Sequence, residues 1–418
     1  MKILILGSGV IGVTSAWYLN KAGHDVTVLD RQTGPALETS FANAGQVSFG
    51  YTTPWASPGL VIKALKWMMR PNSPLIIRPQ ANFRQISWLL SMLTNCNTQC
   101  YKDNKALMVR LSDYSAHCLK ALREETHIPY DEGMKGTIQL FRDQAQFEAA
   151  HKDVEVLKAD GIEFQMLNAQ QCVEEEPGLF SLKKQITGGL QTPKDETGDC
   201  KIFTDKLAKM AQDKGVKFRY NVTIKKLHYA AQKISGVETS SGFETADAYL
   251  VCMGSFTPFL LSNVGLHAPI YPVKGYSITV PVTNAEHAPV STVIDDSYKV
   301  AVTRLGDRIR VGGMAEVSDY KIKLSKQRMK TLQEALKMMF PKGYDQNYQP
   351  ELWSGLRPVT PDSVPILGKT LFPNLYINSG HGTLGWTMST GSAHFIADMI
   401  SGKKTEIDPS GLDIQRYQ

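Results

Sequence analysis

Four consecutive apolar residues, Ile3 to Leu6, open the chain. A short apolar run of this kind is the pattern of a parallel strand buried on both faces. Gly7-Ser8-Gly9-Val10-Ile11-Gly12 follows, and Val13 to Ala22 then places Ala16, Trp17, Tyr18 and Leu19 at helical spacing. Gly23 fits the helix stop, and Asp25 to Leu29 alternates into a second strand that ends at Asp30. The pattern predicts a βαβ unit. Near the other end, Leu375 to Asn378 reads as a short strand, Gly380, Gly382 and Gly385 as an open loop, and Trp386 to Ile400 as a helix stopped by Gly402. Between these ends, Gly136 to Phe141, Tyr276 to Val280 and Arg308 to Gly312 read as strands. A helix and strand are expected around 200–223, the strand ending FRYNV at Val222, and another strand ends at Met253-Gly254. Trp353 to Gly368 is too rich in proline for regular helix and is expected to be rigid and turn-rich.

A chain of 418 residues has room for two domains. Its net charge of +6 is too mild to argue for nucleic acid as a partner. The six cysteines form no CxxC pair and no metal-ligand spacing, so reduced thiols facing the cytosol are expected, and no metal. Residues 1–12 do not read as a signal peptide, since cleavage would destroy the glycine turn. No uncharged apolar run approaches the ~20 residues of a spanning helix.

The first turn has the GxGxxG spacing of a dinucleotide site. Its first glycine permits the tight turn, the second lets backbone approach a pyrophosphate, and the third lets helix and strand pack closely. The alternative is a turn needed for packing alone. Asp30, 18 residues beyond Gly12, stands where an acid would take ribose hydroxyls, with Arg31 beside it. The second strand–glycine loop–helix, at 375–402, suggests another helix N-terminus aimed at a ligand. Reduced flavin gathers negative charge that a helix dipole stabilises, whereas nicotinamide needs no such site, so the pair favours FAD over NAD. Arg357 is the one charge in Gly355-Leu356-Arg357-Pro358. It is either an ordinary surface or ion-paired arginine, or a grip for a carboxylate.

Between Glu38 and Asp103 there is no acidic residue, while Lys63, Lys66, Arg70, Arg78, Arg84 and Lys102 are basic. Trp55, Trp67, Met68, Met69 and Trp88 lie among them with many aliphatic residues. Two arrangements fit the segment around 60–94: a membrane-docking patch through which a quinone reaches the flavin, or a core-packing helix pair with solvated lysines.

Several longer motifs run in order along the chain: LGSGVIGVTSAWYLNKAGHDVTVLD, ETSFANAGQ, GGLQTPKDETGDC, YPVKGYS, RIRVGGMAE, GLRPVTPD and GHGTLGWTMSTGS. Through them the chain resembles the FAD-dependent D-amino-acid oxidase/glycine oxidase superfamily over essentially its whole length, and within it the bacterial D-amino-acid dehydrogenase small subunits. The resemblance implies an α/β fold in which a Rossmann-like FAD-binding domain is interleaved with an α+β substrate domain on a mostly antiparallel sheet. The expected division is 1–84, 191–262 and 351–418 for FAD, and 85–190 and 263–350 for substrate.

The resemblance further implies that Gly7, Gly9 and Gly12, with Val10 and Ile11, hold the FAD pyrophosphate, and that Asp30 and Arg31 lie at the adenosine ribose. Ser40 and Asn43-Ala44-Gly45-Gln46 would pass the pyrophosphate and flavin, and Val222, Met253 and Gly254 would line the adenine side. Gly355 and the run Gly382-Thr383-Leu384-Gly385-Trp386-Thr387 would lie against the flavin. Arg357 would pair with the substrate carboxylate. Tyr276 and Tyr298 are candidates for a substrate-site tyrosine, Lys274 for a group near the flavin, and His381 for a base, each weighed against a structural role. No cysteine follows Cys252, so non-covalent FAD is expected. The implied reaction is oxidative deamination of D-alanine-like amino acids to 2-oxo acids and ammonia, by hydride transfer to flavin N5. A quinone or other respiratory acceptor would take the electrons, at the cytoplasmic face of the bacterial inner membrane. The alternatives are an oxygen-using oxidase of glycine, sarcosine or D-amino acids that makes hydrogen peroxide, and a flavin-binding protein without turnover.

Overall fold

A computed structural model describes residues 1–50, 52–68, 73–159 and 162–418. Strand β1 (Lys2–Leu6), helix α1 (Val10–Lys21) and strand β2 (Asp25–Leu29) form the expected unit, with the helix beginning three residues earlier than its apolar spacing suggests. β1 lies inside a six-stranded sheet in the order Ile366–Lys369, Leu375–Ser379, Ala248–Val251, β1, β2, Lys217–Arg219. All pairings are parallel except that of the Ile366–Lys369 edge strand. The apolar run of β1 is divided by strand alternation: Ile3 and Ile5 enter one core, Leu4 and Leu6 the other. The first core holds α1, the helix Cys200–Asp213 and the C-terminal helix Gly385–Ile400. The second is covered by the three-stranded sheet spanning 224–244 and the short helix Thr257–Ser262.

The other large sheet has nine strands and is mostly antiparallel. Its edge is Glu351–Val359, followed by Tyr271–Pro281, Arg308–Val317, Val300–Leu305 and Thr292–Asp295, and then by Thr137–Phe141, Gly188–Thr192 and Gln165–Asn168. Leu75–Ile77 adds a parallel strand beside Arg308–Val317. The helix Lys326–Met339 covers one face through Met329, Leu332, Ala335 and Leu336.

Two expectations need correction. Residues 353–359 are not turns: Glu351–Val359 is a regular strand, and the turns begin beyond it. Pro358 is tolerated because this is the edge strand, where a missing backbone donor costs little. The division at 84/85 and 350/351 also fails locally. Leu75–Ile77 and Glu351–Val359 belong to the antiparallel sheet, while the long helix spanning 98–126 buries Met108, Leu111, Cys118 and Leu119 in the core shared with α1. Periodicity shows that these residues are buried but not which sheet receives them. Among the described residues no helix is long and apolar enough to cross a membrane.

Candidate active site

A cavity of about 1300 Å³ runs between the two sheets, from the first glycine turn past Arg357 to the segment around 60–96. At its inner end, Gly7 is left-handed (φ +109°), as the tight turn after β1 demands. A Cβ on Gly12 would lie 1.9 Å from the Gly7 carbonyl oxygen, so the third glycine is what lets α1 start directly behind the turn. Gly9, Val10 and Ile11 line the cavity, and the α1 N-cap, Gly9, offers no side-chain cap. First-turn N–H groups of α1 are therefore left for an anion, although the Val10 N–H donates to Ser40 Oγ at 3.1 Å.

Asp30 sits at the end of β2 and accepts from the Ser8 N–H (2.6 Å), the Ser8 hydroxyl (2.8 Å) and the Gln32 N–H (2.8 Å). Arg31 is held by Glu38 at 2.6 Å and lies 4.0 Å over the Phe256 ring. Val222 is packed into the core and donates its N–H to the Asp30 carbonyl, leaving Thr223, Ile224 and Lys225 to line the cavity there, across from Met253 and Gly254. The 40–46 loop crosses the cavity wall. Ala42 accepts from the Ser277 hydroxyl (2.6 Å), Asn43 caps the Gly45 N–H (3.0 Å), and Ala44 sits on Gly312, where a Cβ would be only 2.9 Å away. Ser40, Asn43, Ala44, Gly45 and Gln46 all line the cavity.

The second glycine loop enters from the opposite side. Gly382 is left-handed (φ +56°) and donates to the Pro358 carbonyl at 2.9 Å. The C-terminal helix begins after Leu384 without a side-chain cap, and Gly382, Thr383, Leu384, Gly385, Trp386 and Thr387 line the cavity. Its dipole and open N–H groups thus point into the same space as those of α1. Thr387 accepts from the Ser48 N–H (3.1 Å), and Trp386 donates to the Gly198 carbonyl (3.1 Å).

Arg357 projects from the edge strand across Gly275, where a Cβ would come within 2.4 Å of its guanidinium carbon. Its Nη1 donates to the Met314 carbonyl at 2.7 Å, and among the described residues no carboxylate pairs with it. Enclosure lowers its pKa from 12.5 to about 10, so it stays charged at neutral pH. Gly355 lines the cavity beside it, with the Trp353 ring lying against it.

His381 also borders the cavity, but its Nε2 contacts Ser392 Oγ at 3.0 Å, and burial lowers its pKa to about 3. A neutral imidazole tied to the helix is a poor proton acceptor. Its linkage to stability has a definite sign. Between about pH 6.5 and 3 the unfolded chain protonates this histidine and the folded chain does not, so stability falls on acidification by roughly 1.4 kcal/mol per pH unit. His381→Gln removes that term. Its melting temperature relative to the unsubstituted chain is expected to rise from pH 7 to pH 5; an unchanged difference would contradict it. Taking the difference cancels Asp195, whose carboxyl is pushed up to about 6 by burial and acts in the opposite sense.

Three candidate side chains do not present their polar groups to the cavity. Gly275 and Ser277 face Arg357 and the 40–46 loop, so strand alternation turns Lys274 and Tyr276 to the other face. Tyr276 contributes atoms to the cavity wall, yet its hydroxyl donates to Glu316 (2.9 Å), and Lys274 Nζ donates to Ser318 (3.1 Å). Tyr298 is outside the lining and packs at the margin of the core under Lys326–Met339. Conversely, Gly275, Gly312, Met314 and Trp353 shape the site without having been singled out. The glycines within YPVKGYS and RIRVGGMAE were the available signal, since glycine inside a strand marks close approach of other atoms.

A family model described as "FAD dependent oxidoreductase" matches residues 2–399. The chain belongs to the FAD-dependent oxidoreductase family. It is 55% identical over 417 residues to a D-amino acid dehydrogenase of Allorhizobium ampelinum, covering 100% of this chain and 99% of the relative. A D-amino acid dehydrogenase of Sinorhizobium medicae is 53% identical, covering 100% of both chains. Among solved structures, glycine oxidase from Geobacillus kaustophilus superimposes with a TM-score of 0.76 at 21% identity, covering 100% of this chain and 98% of that one. As an FAD-dependent oxidoreductase, the chain has the parts its cofactor needs. The glycine turn and uncapped α1 would hold the pyrophosphate, Asp30 the ribose, and the uncapped C-terminal helix the flavin edge. Gly9 fits this cradle, since a Cβ there would come within 3.4 Å of Ser40 Oγ in the gap between α1 and the 40–46 loop.

Proposed function

We propose that the chain oxidises small D-amino acids, D-alanine among them, to 2-oxo acids and ammonia. The reading is supported by the names of its full-length relatives and rests on one observation: a half-buried guanidinium at the junction of both sheets, with no carboxylate partner among the described residues. Such a group favours an incoming carboxylate, because the pair forms inside the cavity rather than in bulk water and the hydrogen bonds are charge-assisted. Arg357 orients the substrate through that carboxylate, a proximity effect. FAD, when bound, supplies the two-electron acceptor for the Cα hydride. His381 stays neutral and hydrogen-bonded, so no protein base at that position takes a substrate proton; the substrate amine enters already deprotonated. The imino acid product hydrolyses in water.

The test is the flavin spectrum of the purified protein under anaerobic titration, first with D-alanine and then with L-alanine. Bleaching by the D-isomer alone, slow recovery in air and fast recovery with a soluble quinone support the reading. Rapid recovery in air with stoichiometric hydrogen peroxide would assign an oxidase instead. No bleaching by D-alanine, glycine or sarcosine would leave a flavin-binding protein without turnover.

The electrons are proposed to pass to a quinone at an anionic membrane surface, on the cytoplasmic side, where the six unpaired cysteines would stay reduced. Helix α2 (Leu60–Met68) lends Leu60, Ala64, Leu65 and Trp67 to the cavity wall and buries no residue fully. Ile62 is exposed outside that lining and Leu65 is exposed at its rim, and helix α3 (Phe83–Thr94) exposes Phe83, Ile86, Leu90 and Leu93. Lys63, Lys66 and Arg84 flank these apolar stripes. Met69 and Arg70, counted in the basic segment, lie outside the described residues. Apolar stripes edged with lysine and arginine suit an anionic bilayer, and a cavity reaching α2 and α3 would open toward it. Replacing Ile62, Phe83, Ile86 and Leu90 together by aspartate is expected to lower co-sedimentation with phosphatidylglycerol vesicles at least tenfold. Undiminished binding would locate the membrane contact elsewhere or dispense with it.

A further inference from the structure

The strand Arg308–Val317 pairs regularly with Tyr271–Pro281 except at one place. Lys274 faces Glu316 and Tyr276 faces Gly313, so Met314 and Ala315 together stand opposite Gly275 alone. This is a β-bulge, two residues against one, and it lies beside the glycine over which the Arg357 guanidinium rests. Met314 at the bulge has φ +58°, the left-handed region that glycine enters freely and methionine does not. Its neighbours are bonded elsewhere: the Ala315 N–H donates to the Pro74 carbonyl (2.8 Å), and the Met314 N–H reaches the Lys299 carbonyl (3.4 Å). The Met314 carbonyl is thereby turned out of the ladder to Tyr271–Pro281, and it accepts from Arg357 Nη1. Behind the bulge, buried Arg328 donates to the Ser73 carbonyl and contacts Met314 Sδ at 3.2 Å.

We infer that Met314 is a positioning residue: the bulge aims its main-chain carbonyl at one edge of the Arg357 guanidinium and leaves the other edge free for the substrate carboxylate. The inference rests on the reading of Arg357 as the carboxylate grip. A guanidinium has five N–H donors in a rigid plane, so fixing one edge sets the direction of the rest. What matters in Met314 is then its left-handed backbone rather than its side chain. The two roles predict opposite orders for two variants. Met314→Gly deletes the side chain but enters the left-handed region freely. Met314→Val keeps apolar bulk but, being β-branched, resists that region.

The probe is propionate, which is D-alanine without its amine, followed by its perturbation of the flavin spectrum in holoenzyme, with melting temperature measured in parallel. Met314→Val is expected to raise the propionate Kd and the D-alanine KM roughly tenfold, and Met314→Gly no more than about threefold. Met314→Gly is expected to show the larger loss of thermal stability. If binding loss follows stability loss, with glycine worse than valine in both, the side chain only packs and the inference is overturned. If Met314→Val binds propionate as the unsubstituted enzyme does while Arg357→Leu does not, positioning fails and the reading of Arg357 stands. If Arg357→Leu binds propionate normally, both fall.

Discussion

Arg357→Leu is expected to lower kcat/KM for D-alanine by about 10³, with FAD still bound. A substrate carboxylate brought against the junction of the two sheets would lose the guanidinium there, and breaking one side of a pair withdrawn from water costs roughly 3–5 kcal/mol. At 1.36 kcal/mol per factor of ten, that is ~10²–10⁴ in rate. Leucine keeps most of the apolar stem packing, so the loss reports the guanidinium. Arg357→Lys is expected to recover only part of the activity, because an ammonium cannot present two parallel donors to a carboxylate. Gly275→Ala reaches the same group from below: its Cβ would stand 2.4 Å from the guanidinium carbon, so the guanidinium must shift and KM should rise while the charge remains. Steady-state kinetics with a dye acceptor decide the matter. A kcat/KM within threefold of the unsubstituted enzyme in Arg357→Leu would remove the carboxylate grip from the mechanism.

Gly12→Ala should yield protein without flavin. The added carbon would be 1.9 Å from the Gly7 carbonyl oxygen and 2.9 Å from its carbon, both backbone atoms of the turn itself. Neither can move without dragging β1 or α1, and overpacking costs roughly 1–3 kcal/mol, more where backbone must shift. Because such a variant can also fail to fold, Gly9→Ala is the informative companion. There the nearest atom is Ser40 Oγ at 3.4 Å, so the chain can fold, while the new methyl occupies the approach to the pyrophosphate. The expected result is a soluble protein whose absorbance ratio at 450 to 280 nm falls and recovers on adding excess FAD. Full flavin occupancy in both variants would mean that the turn does not hold the cofactor.

Much of the candidate cofactor site was legible because it is local. β1, the glycine turn, α1 and Asp30 fall within 30 residues, and each part is specified by its neighbours in the chain: an apolar run for the strand, glycines for the turn, helical spacing behind it. The same holds for Leu375–Ser379, the loop of Gly380 and Gly382, and the helix after Leu384. The candidate substrate side was legible only in part. Arg357 is marked by being the one charge in its segment, but what it touches, Gly275 and the Met314 carbonyl, lies 82 and 43 residues away.

Sequence alone determined where helices and strands run at the two ends and that two helix N-termini follow glycine loops, a pair that favoured a flavin dinucleotide as ligand. Tertiary structure decided which face of Tyr271–Pro281 looks into the cavity, and so that Gly275 and Ser277 border Arg357 and the 40–46 loop while Lys274 and Tyr276 point their polar groups away. It also decided that Glu351–Val359 is an edge strand and that the helix spanning 98–126 packs against the FAD half. The reason is physical. Periodicity within a segment records that alternate residues are buried, but a strand has two faces of equal period, and only hydrogen-bonded register with strands distant in sequence chooses between them.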